Sequence, residues 1–188
     1  MPTRESARET LLAELREHAL VIGEVTLSSG RTAQYYVDAK RALLRPPAYR
    51  AAGVLMAAEA AERGATAVGG MTMGADPLAC AAIGSEEGDR LVAFFVRKER
   101  KEHGLQRWIE GPELGAGTRC LVVEDVVTSG GSTVRAIERI REEGLEVAGV
   151  TAVVDRLAGG AEAVEEAAGA PYRPLLTIDD LYPDRPDR

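Results

Sequence analysis

Cysteine is scarce in this chain. Cys80 and Cys120 are the only two, they stand far apart, and each sits in an apolar run. Two such residues make no disulfide framework, and the C-x-x-C spacing of a zinc site is missing. Both read as buried small hydrophobes, which fits a reducing cytoplasm. Long apolar runs are missing too: nothing approaches the roughly 20 residues that a membrane span needs. The opening stretch MPTRESARETLLAELREH is charged and amphipathic and lacks the apolar core of a signal peptide. Positive charge is in deficit, with a formal net charge of -7, so the chain is a poor partner for a nucleic-acid backbone. There is no internal repeat. The nucleotide signatures G-x-x-x-x-G-K-[ST] and G-x-G-x-x-G are both absent. These absences leave a cytoplasmic protein of enzyme size that binds neither membrane nor nucleic acid.

What is present is ordinary for a globular domain. With 45% hydrophobic residues over a length of 188, the chain can bury one good core and hardly two, so residues 1–188 read as one domain. Leu11, Leu12, Leu15 and Leu20 recur among charges at helical spacing and predict a helix over 5–20. Glu24–Ser28 reads as a short strand ending in a Ser29-Gly30 turn, and Tyr35–Asp38 as a strand edge. After Pro46-Pro47, Ala48–Arg63 reads as a helix stopped by Gly64. Strands and helices then alternate. The strands are Ala67–Gly70, Leu91–Val96, Cys120–Val123, Val147–Val154 and Leu175–Ile178. The helices are Pro77–Ile83, Thr133–Glu143 and Ala161–Ala168. Continuous apolar strands between helices imply an α/β fold whose parallel sheet is covered on both faces. Ligands of such sheets sit at the carboxyl ends of the strands. Lys98–Gly117 is long, polar and charged, a length that compact domains seldom keep without use.

The most informative segment runs from Cys120 to Thr133. An apolar strand ends in Glu124 and Asp125; Val126 and Val127 follow, then Thr128, Ser129, Gly130, Gly131, Ser132 and a helix. Backbone N–H groups at a helix N-terminus attract an anion, glycines let it come close, and hydroxyls add donors. The two acids would repel that anion and suit ribose hydroxyls or a metal ion instead. Together they describe a site for ribose 5-phosphate. The other reading is a decorated turn capped by Ser132 or Thr133.

Arg97-Lys98-Glu99-Arg100-Lys101-Glu102-His103-Gly104 holds four cations directly after an apolar strand. Alone, a mixed charge run reads as a solvated face; its start at a strand's carboxyl end favours the ligand side. Tyr35 and Tyr36 could stack on a flat ring or simply fill a half-buried strand. Arg156 follows another strand and could bind a carboxylate bidentately or pair with Asp155.

The Cys120–Thr133 segment resembles the signature with which type I phosphoribosyltransferases bind 5-phospho-α-D-ribosyl 1-diphosphate (PRPP): apolar strand, two acids, two apolar residues, then Thr-x-Gly-x-(Ser/Thr). The basic run resembles the Arg-Lys-x-x-Lys-x-His-Gly element of orotate phosphoribosyltransferases, and Ile109-Glu110-Gly111 recurs there too. Ser29-Gly30-Arg31 with the tyrosine pair resembles that family's orotate segment, although Ser28 stands where many members carry lysine. The resemblance runs from about Leu11 to Leu181. It implies the type I fold, with a small hood from the N- and C-terminal segments. It also implies a mobile catalytic loop over about 98–111 in a homodimer with a shared active site. Orotate and PRPP would give orotidine 5'-monophosphate and pyrophosphate, with Mg2+ carried mainly by PRPP rather than by protein ligands.

The resemblance also implies residue roles. Arg97, Lys98, Lys101 and His103 would meet the pyrophosphate, Lys98 from the partner chain. Glu124 and Asp125 would hold the ribose hydroxyls, and Val126 to Ser132 would surround the phosphate. Lys101, His103 and Asp125 would be catalytic. Thr128, Arg156, Tyr35 and Tyr36 would bind orotate. The Gly69–Pro77 loop would lie under the pyrophosphate with an unusual peptide geometry. Trp108 and His18 receive no role. A purine-using enzyme of the same fold and a non-catalytic PRPP sensor remain the alternatives.

Overall fold

The computed structural model describes residues 3–26, 32–100 and 107–188. Helix α1 (Arg4–His18) opens on Thr3, whose hydroxyl accepts the Ser6 N–H at 3.1 Å, and it buries Ala7, Leu11 and Leu15 at the expected spacing. The hairpin β1 (Leu20–Thr26) and β2 (Thr32–Val37) follows, then the short α2 (Lys40–Leu43) and α3 (Pro46–Glu62). Strand β3 (Ala67–Met71) leads into α4 (Asp76–Ile83), β4 (Val92–Val96), β5 (Ile109–Glu110) and β6 (Arg119–Val127). The chain closes with α5 (Gly131–Glu142), β7 (Glu146–Asp155), α6 (Gly160–Ala168), β8 (Leu176–Thr177) and α7 (Ile178–Leu181).

Six strands form the main sheet in the order β5-β4-β3-β6-β7-β8, and every neighbouring pair is parallel except β4 with β5. Period-two alternation sorts the core. Leu121 and Val123 pack with α1, α3 and α4 on one face; Cys120 and Val122 pack with α5 and α6 on the other. Each such leucine or valine contributes about 1.5–3 kcal/mol by leaving water. Small residues let the layers approach: a Cβ on Gly53 of α3 would lie 2.4 Å from the Ala81 carbonyl oxygen of α4. The separate β1–β2 hairpin and α7 stand beside the sheet. Among the described residues, no helix is long and apolar enough to cross a membrane.

Several boundaries differ from the sequence reading. The first helix ends at His18, and Leu20 opens β1 rather than closing a helix, because Leu20 pairs across the hairpin with Val37. Strand β6 does not stop at Val123. Its ladder with β7 continues through Glu124↔Ala152 to Val127↔Asp155, since β7 is long enough to keep supplying partners. Ile109 and Glu110 lie in the stretch expected to be loop, yet they pair with Val96 and Phe95 at the sheet edge. Cys80 is part-exposed rather than buried, whereas burial pushes the Cys120 thiol up to about 12.

Candidate active site

The carboxyl ends of β3, β4, β6 and β7 gather the chemistry. Because β6 stays extended through its acids, Glu124 and Asp125 leave it on opposite faces. Glu124 points to the α5 side, where its Oε2 accepts the Ser132 hydroxyl at 2.8 Å and the Thr133 hydroxyl at 3.1 Å. Asp125 points to the hairpin side, where its Oδ2 accepts Lys40 Nζ at 2.8 Å. Both carboxylates still converge on Gly74: a Cβ there would lie 2.5 Å from Asp125 Oδ1 and 2.9 Å from Glu124 Oε1.

Burial, then the neighbouring Asp125 charge, pushes the Glu124 carboxyl up to about 7, against the pull of the Ser132 and Thr133 hydroxyls. For Lys40, burial works to lower the ammonium value, but the hydrogen bond and charge of Asp125, with Asp38 adding, hold it above the ordinary lysine range. Lys40 is a charged member of this site that sequence reasoning missed. Its only signal is its place two residues after Asp38, and nothing local says that α2 aims it at the distant acid.

Thr128 and Ser129 are exposed at the mouth, and Gly130 caps α5 with φ at +77°. No side chain caps this helix, and Ser132 and Thr133 instead donate to Glu124. The capping alternative therefore does not hold, and the first turn of α5 is left without a side-chain cap. Gly130 must be glycine on two counts: its positive φ, and a Cβ that would lie 2.8 Å from Val164 Cγ2. Gly160 of α6 backs the same loop, since a Cβ there would come within 2.6 Å of the Thr128 carbonyl oxygen. Val126 and Val127 are the last ladder residues, with the Val127 carbonyl accepting the Arg156 N–H at 2.9 Å.

Arg156 does not ion-pair with Asp155; Asp155 Oδ1 instead accepts the Leu157 N–H at 2.7 Å. The guanidinium lies 5.0 Å over the Tyr35 ring, and its buried Nε has no hydrogen-bond partner among the described residues. Tyr35 is buried, edge-on to Tyr182, with its hydroxyl donating to Asp187 at 3.0 Å. Tyr36, on the opposite side of β2, is exposed. It lines a cavity of about 190 Å³ with Val37, Lys40, Asp125, Val126, Thr128 and Arg156.

A second depression, about 350 Å³, is lined by Thr72, Phe95, Arg97, Lys98, Glu99 and Glu110. Arg97 is engaged there, with Nη1 donating to Glu110 at 3.0 Å. The Thr72–Met73 peptide in the adjoining loop is cis. Lys101, His103 and Ser28 to Arg31 lie outside the described residues.

The structure thus brings together Glu124, Asp125, the Thr128–Ser132 loop, Tyr36 and Arg156, with Arg97 and Lys98 in the next depression. The Thr128–Ser132 loop, two acids and a guanidinium whose Nε has no hydrogen-bond partner among the described residues share one rim. Comparison with known proteins agrees with that chemistry. The family described as "Phosphoribosyl transferase domain" matches residues 69–168. An orotate phosphoribosyltransferase of Streptomyces avermitilis is 48% identical over 94% of this chain and 98% of its own. The crystal structure of Mycobacterium tuberculosis orotate phosphoribosyltransferase in complex with Fe(III) dicitrate superposes with a TM-score of 0.84 at 47% identity, covering 93% of this chain and 98% of that one. The same enzyme in complex with PRPP gives a TM-score of 0.79 at 42% identity, with the same coverage of 93% and 98%. With its fold, its phosphate loop and relatives matched over nearly their whole length, this chain belongs to the orotate phosphoribosyltransferase family.

Proposed function

We propose that this chain transfers ribose 5-phosphate from PRPP to orotate, giving orotidine 5'-monophosphate and pyrophosphate, in the synthesis of pyrimidine nucleotides. One observation carries the reading: Asp125, Thr128 and Arg156 line a single cavity. Acceptors for ribose hydroxyls, the edge of an anion loop and a cation for a carboxylate-bearing base thus share one space. Purine bases bring no carboxylate to Arg156.

The 5'-phosphate binds the N–H groups and hydroxyls of Thr128 to Ser132 at the start of α5. Glu124 and Asp125 accept from the ribose hydroxyls, with Lys40 holding Asp125 in place. Arg156 takes the orotate carboxylate, Thr128 assists, and Tyr36 offers a ring face to the base. Orotate's ring nitrogen gives up its proton to solvent water, and its lone pair then forms the bond to C1; the ring carbonyls spread the charge of the deprotonated base, so no strong protein base is needed. As that bond forms, the bond from C1 to the pyrophosphate oxygen breaks, and pyrophosphate leaves with the electron pair. The sugar passes through an oxocarbenium-like state. Cations that meet the departing charge in the transition state lower the barrier. Arg97, Lys98, Lys101 and His103 take that part, Lys101 and His103 on the strength of the sequence resemblance alone.

No group of three or more His, Cys, Asp or Glu converges among the described residues. Two adjacent carboxylates, one already paired with Lys40, fit a Mg2+ ion that takes most of its oxygens from PRPP and water. Mg2+, when bound, supplies neutralisation of the pyrophosphate charge. The shared-site homodimer rests on the same resemblance. The free thiols of Cys80 and Cys120 fit a cytoplasmic setting.

The test is ultraviolet absorbance of orotate with purified protein, PRPP and Mg2+, alongside Lys101→Ala. Consumption that needs all three components and collapses in the variant supports the reading. Turnover of a purine base instead would remove Arg156 from its role, and PRPP binding without turnover of any base would leave a sensor. Mixing Lys98→Ala with Asp125→Asn tests the shared site: regained activity supports it, and none refutes it.

A further inference from the structure

Arg139 lies on α5, the helix that follows the Thr128–Gly130 turn, and its guanidinium meets the end of β3 and both stems of the segment between β4 and β5. Nη1 donates to the Arg97 carbonyl oxygen at 2.5 Å and lies 3.4 Å from Met71 Sδ at the end of β3. Nη2 donates to the Lys98 carbonyl oxygen at 2.9 Å. The guanidinium carbon stands 4.2 Å from the centroid of the Trp108 ring.

Trp108 is fixed by the same helix. Its backbone N–H donates to Glu143 at 2.7 Å and its indole N–H to Glu142 at 2.6 Å. The Trp108 carbonyl in turn accepts the Arg97 N–H at 2.9 Å, and the Arg100 guanidinium lies 5.8 Å from the same ring. One planar cation therefore grips two successive carbonyls on the outgoing side of the basic segment and stacks on the residue that begins the returning side. A fork of fixed geometry can do both at once; an ammonium cannot.

We propose that Arg139 and Trp108 are positioning residues for the transfer reaction. They fix the point and direction in which Arg97–Arg100 leave the sheet, relative to the phosphate loop on the same helix. They thereby set where the cations of that segment meet the pyrophosphate. Neither side chain touches substrate; Arg139 acts through the Arg97 and Lys98 carbonyls. The inference rests on the reading that Arg97 and Lys98 contact PRPP.

Trp108 is the only tryptophan in the chain, so acrylamide quenching of its emission reads the clamp directly. Arg139→Met removes both donors and the charge over the indole while keeping an unbranched stem. Quenching should rise, and kcat/KM for PRPP should fall by about 10- to 100-fold, the cost of a misplaced reacting group. KM for orotate and the melting temperature should hold near wild type. Arg139→Lys, which can bond one carbonyl at a time, should fall between the two in both quenching and PRPP kinetics. Raised quenching with unchanged PRPP kinetics overturns the proposal, as does an equal loss for both substrates together with a lowered melting temperature. Arg97→Ala and Lys98→Ala separate the underlying reading. If both keep wild-type PRPP kinetics, that reading fails and the proposal with it. If they collapse while Arg139→Met does not, the proposal alone fails.

Discussion

Lys40 Nζ lies 2.8 Å from Asp125 Oδ2, joining the short helix after the hairpin to the second acid of the phosphate-loop strand. The contact spans 85 residues of sequence and turns a repulsive pair of acids into a site with a built-in cation. With Glu124 pushed toward its neutral form by burial and by Asp125, the rim carries less negative charge than two bare carboxylates would. That matters for a ligand bearing phosphate and pyrophosphate groups.

Lys40→Met should therefore weaken PRPP use. With the ammonium gone, Asp125 repels the incoming phosphates and loses its orientation, and kcat/KM for PRPP should fall about 10- to 100-fold. Lys40 is too exposed for the pair to contribute more than about 1 kcal/mol to folding. Its raised value keeps that contribution present at neutral pH and loses it only as pH climbs through the lysine range. Steady-state kinetics with urea unfolding at neutral pH check both halves.

Glu124 predicts a pH dependence of stability. Its value rises from 4.5 in the unfolded chain to about 7 in the fold, so the native state binds the extra proton between those limits. Stability from this group is present below 4.5 and is lost as pH rises through about 7. Glu124→Gln carries no such titration. Across that window wild type should lose up to about 3 kcal/mol more than the variant. Urea midpoints at both ends of the window measure it, and parallel curves would refute it.

Gly130→Ala and Gly160→Ala should both distort the phosphate loop, for different reasons. The first forces a Cβ onto a residue at φ +77°; the second presses one against the Thr128 carbonyl. Each should cost more than about 1 kcal/mol of stability and raise KM for PRPP. Thermal melts and PRPP titration check this, and a Gly160→Ala enzyme with unchanged KM would separate α6 from the loop.

Arg156 should govern the choice of base. Its buried Nε, beside the Tyr35 ring, has no hydrogen-bond partner among the described residues, and the proposed partner is the orotate carboxylate. Arg156→Leu should raise KM for orotate about 100-fold or more, as expected when a buried charge partner is removed. KM for PRPP should stay near wild type. Comparing orotate with uracil, which lacks the carboxylate, tests this: only the orotate advantage should shrink.

Much of the site was legible because its chemistry is local in sequence. The acids, hydroxyls and glycines of 124–132 follow one strand into one helix, and their order alone describes a phosphate loop. Arg156 was singled out as the residue that follows another apolar strand, and the structure brings it to the same cavity as Asp125 and Thr128. Alternation of apolar strands and helices likewise announced the parallel sheet, because buried strands must be apolar along their whole length.

Tertiary structure decided what depends on pairing between distant segments. Leu20 belongs to a strand because Val37 lies opposite it, and Ile109-Glu110 form an edge strand because β4 offers free backbone groups. The two tyrosines look alike in sequence, but the pleat buries Tyr35 under Arg156 and turns Tyr36 to the cavity. Lys40 and Arg139 carry no motif. Each acquires its place only when a helix, oriented by its buried face, delivers a long side chain to a loop far away in the chain. By itself the sequence determined the fold class and the order of acids, hydroxyls and glycines that leads from one strand into the next helix, since both arise from patterns within a few neighbouring residues. Which cation stands on which acid, and what holds the stem of the basic segment, are long-range contacts, and packing alone chose them.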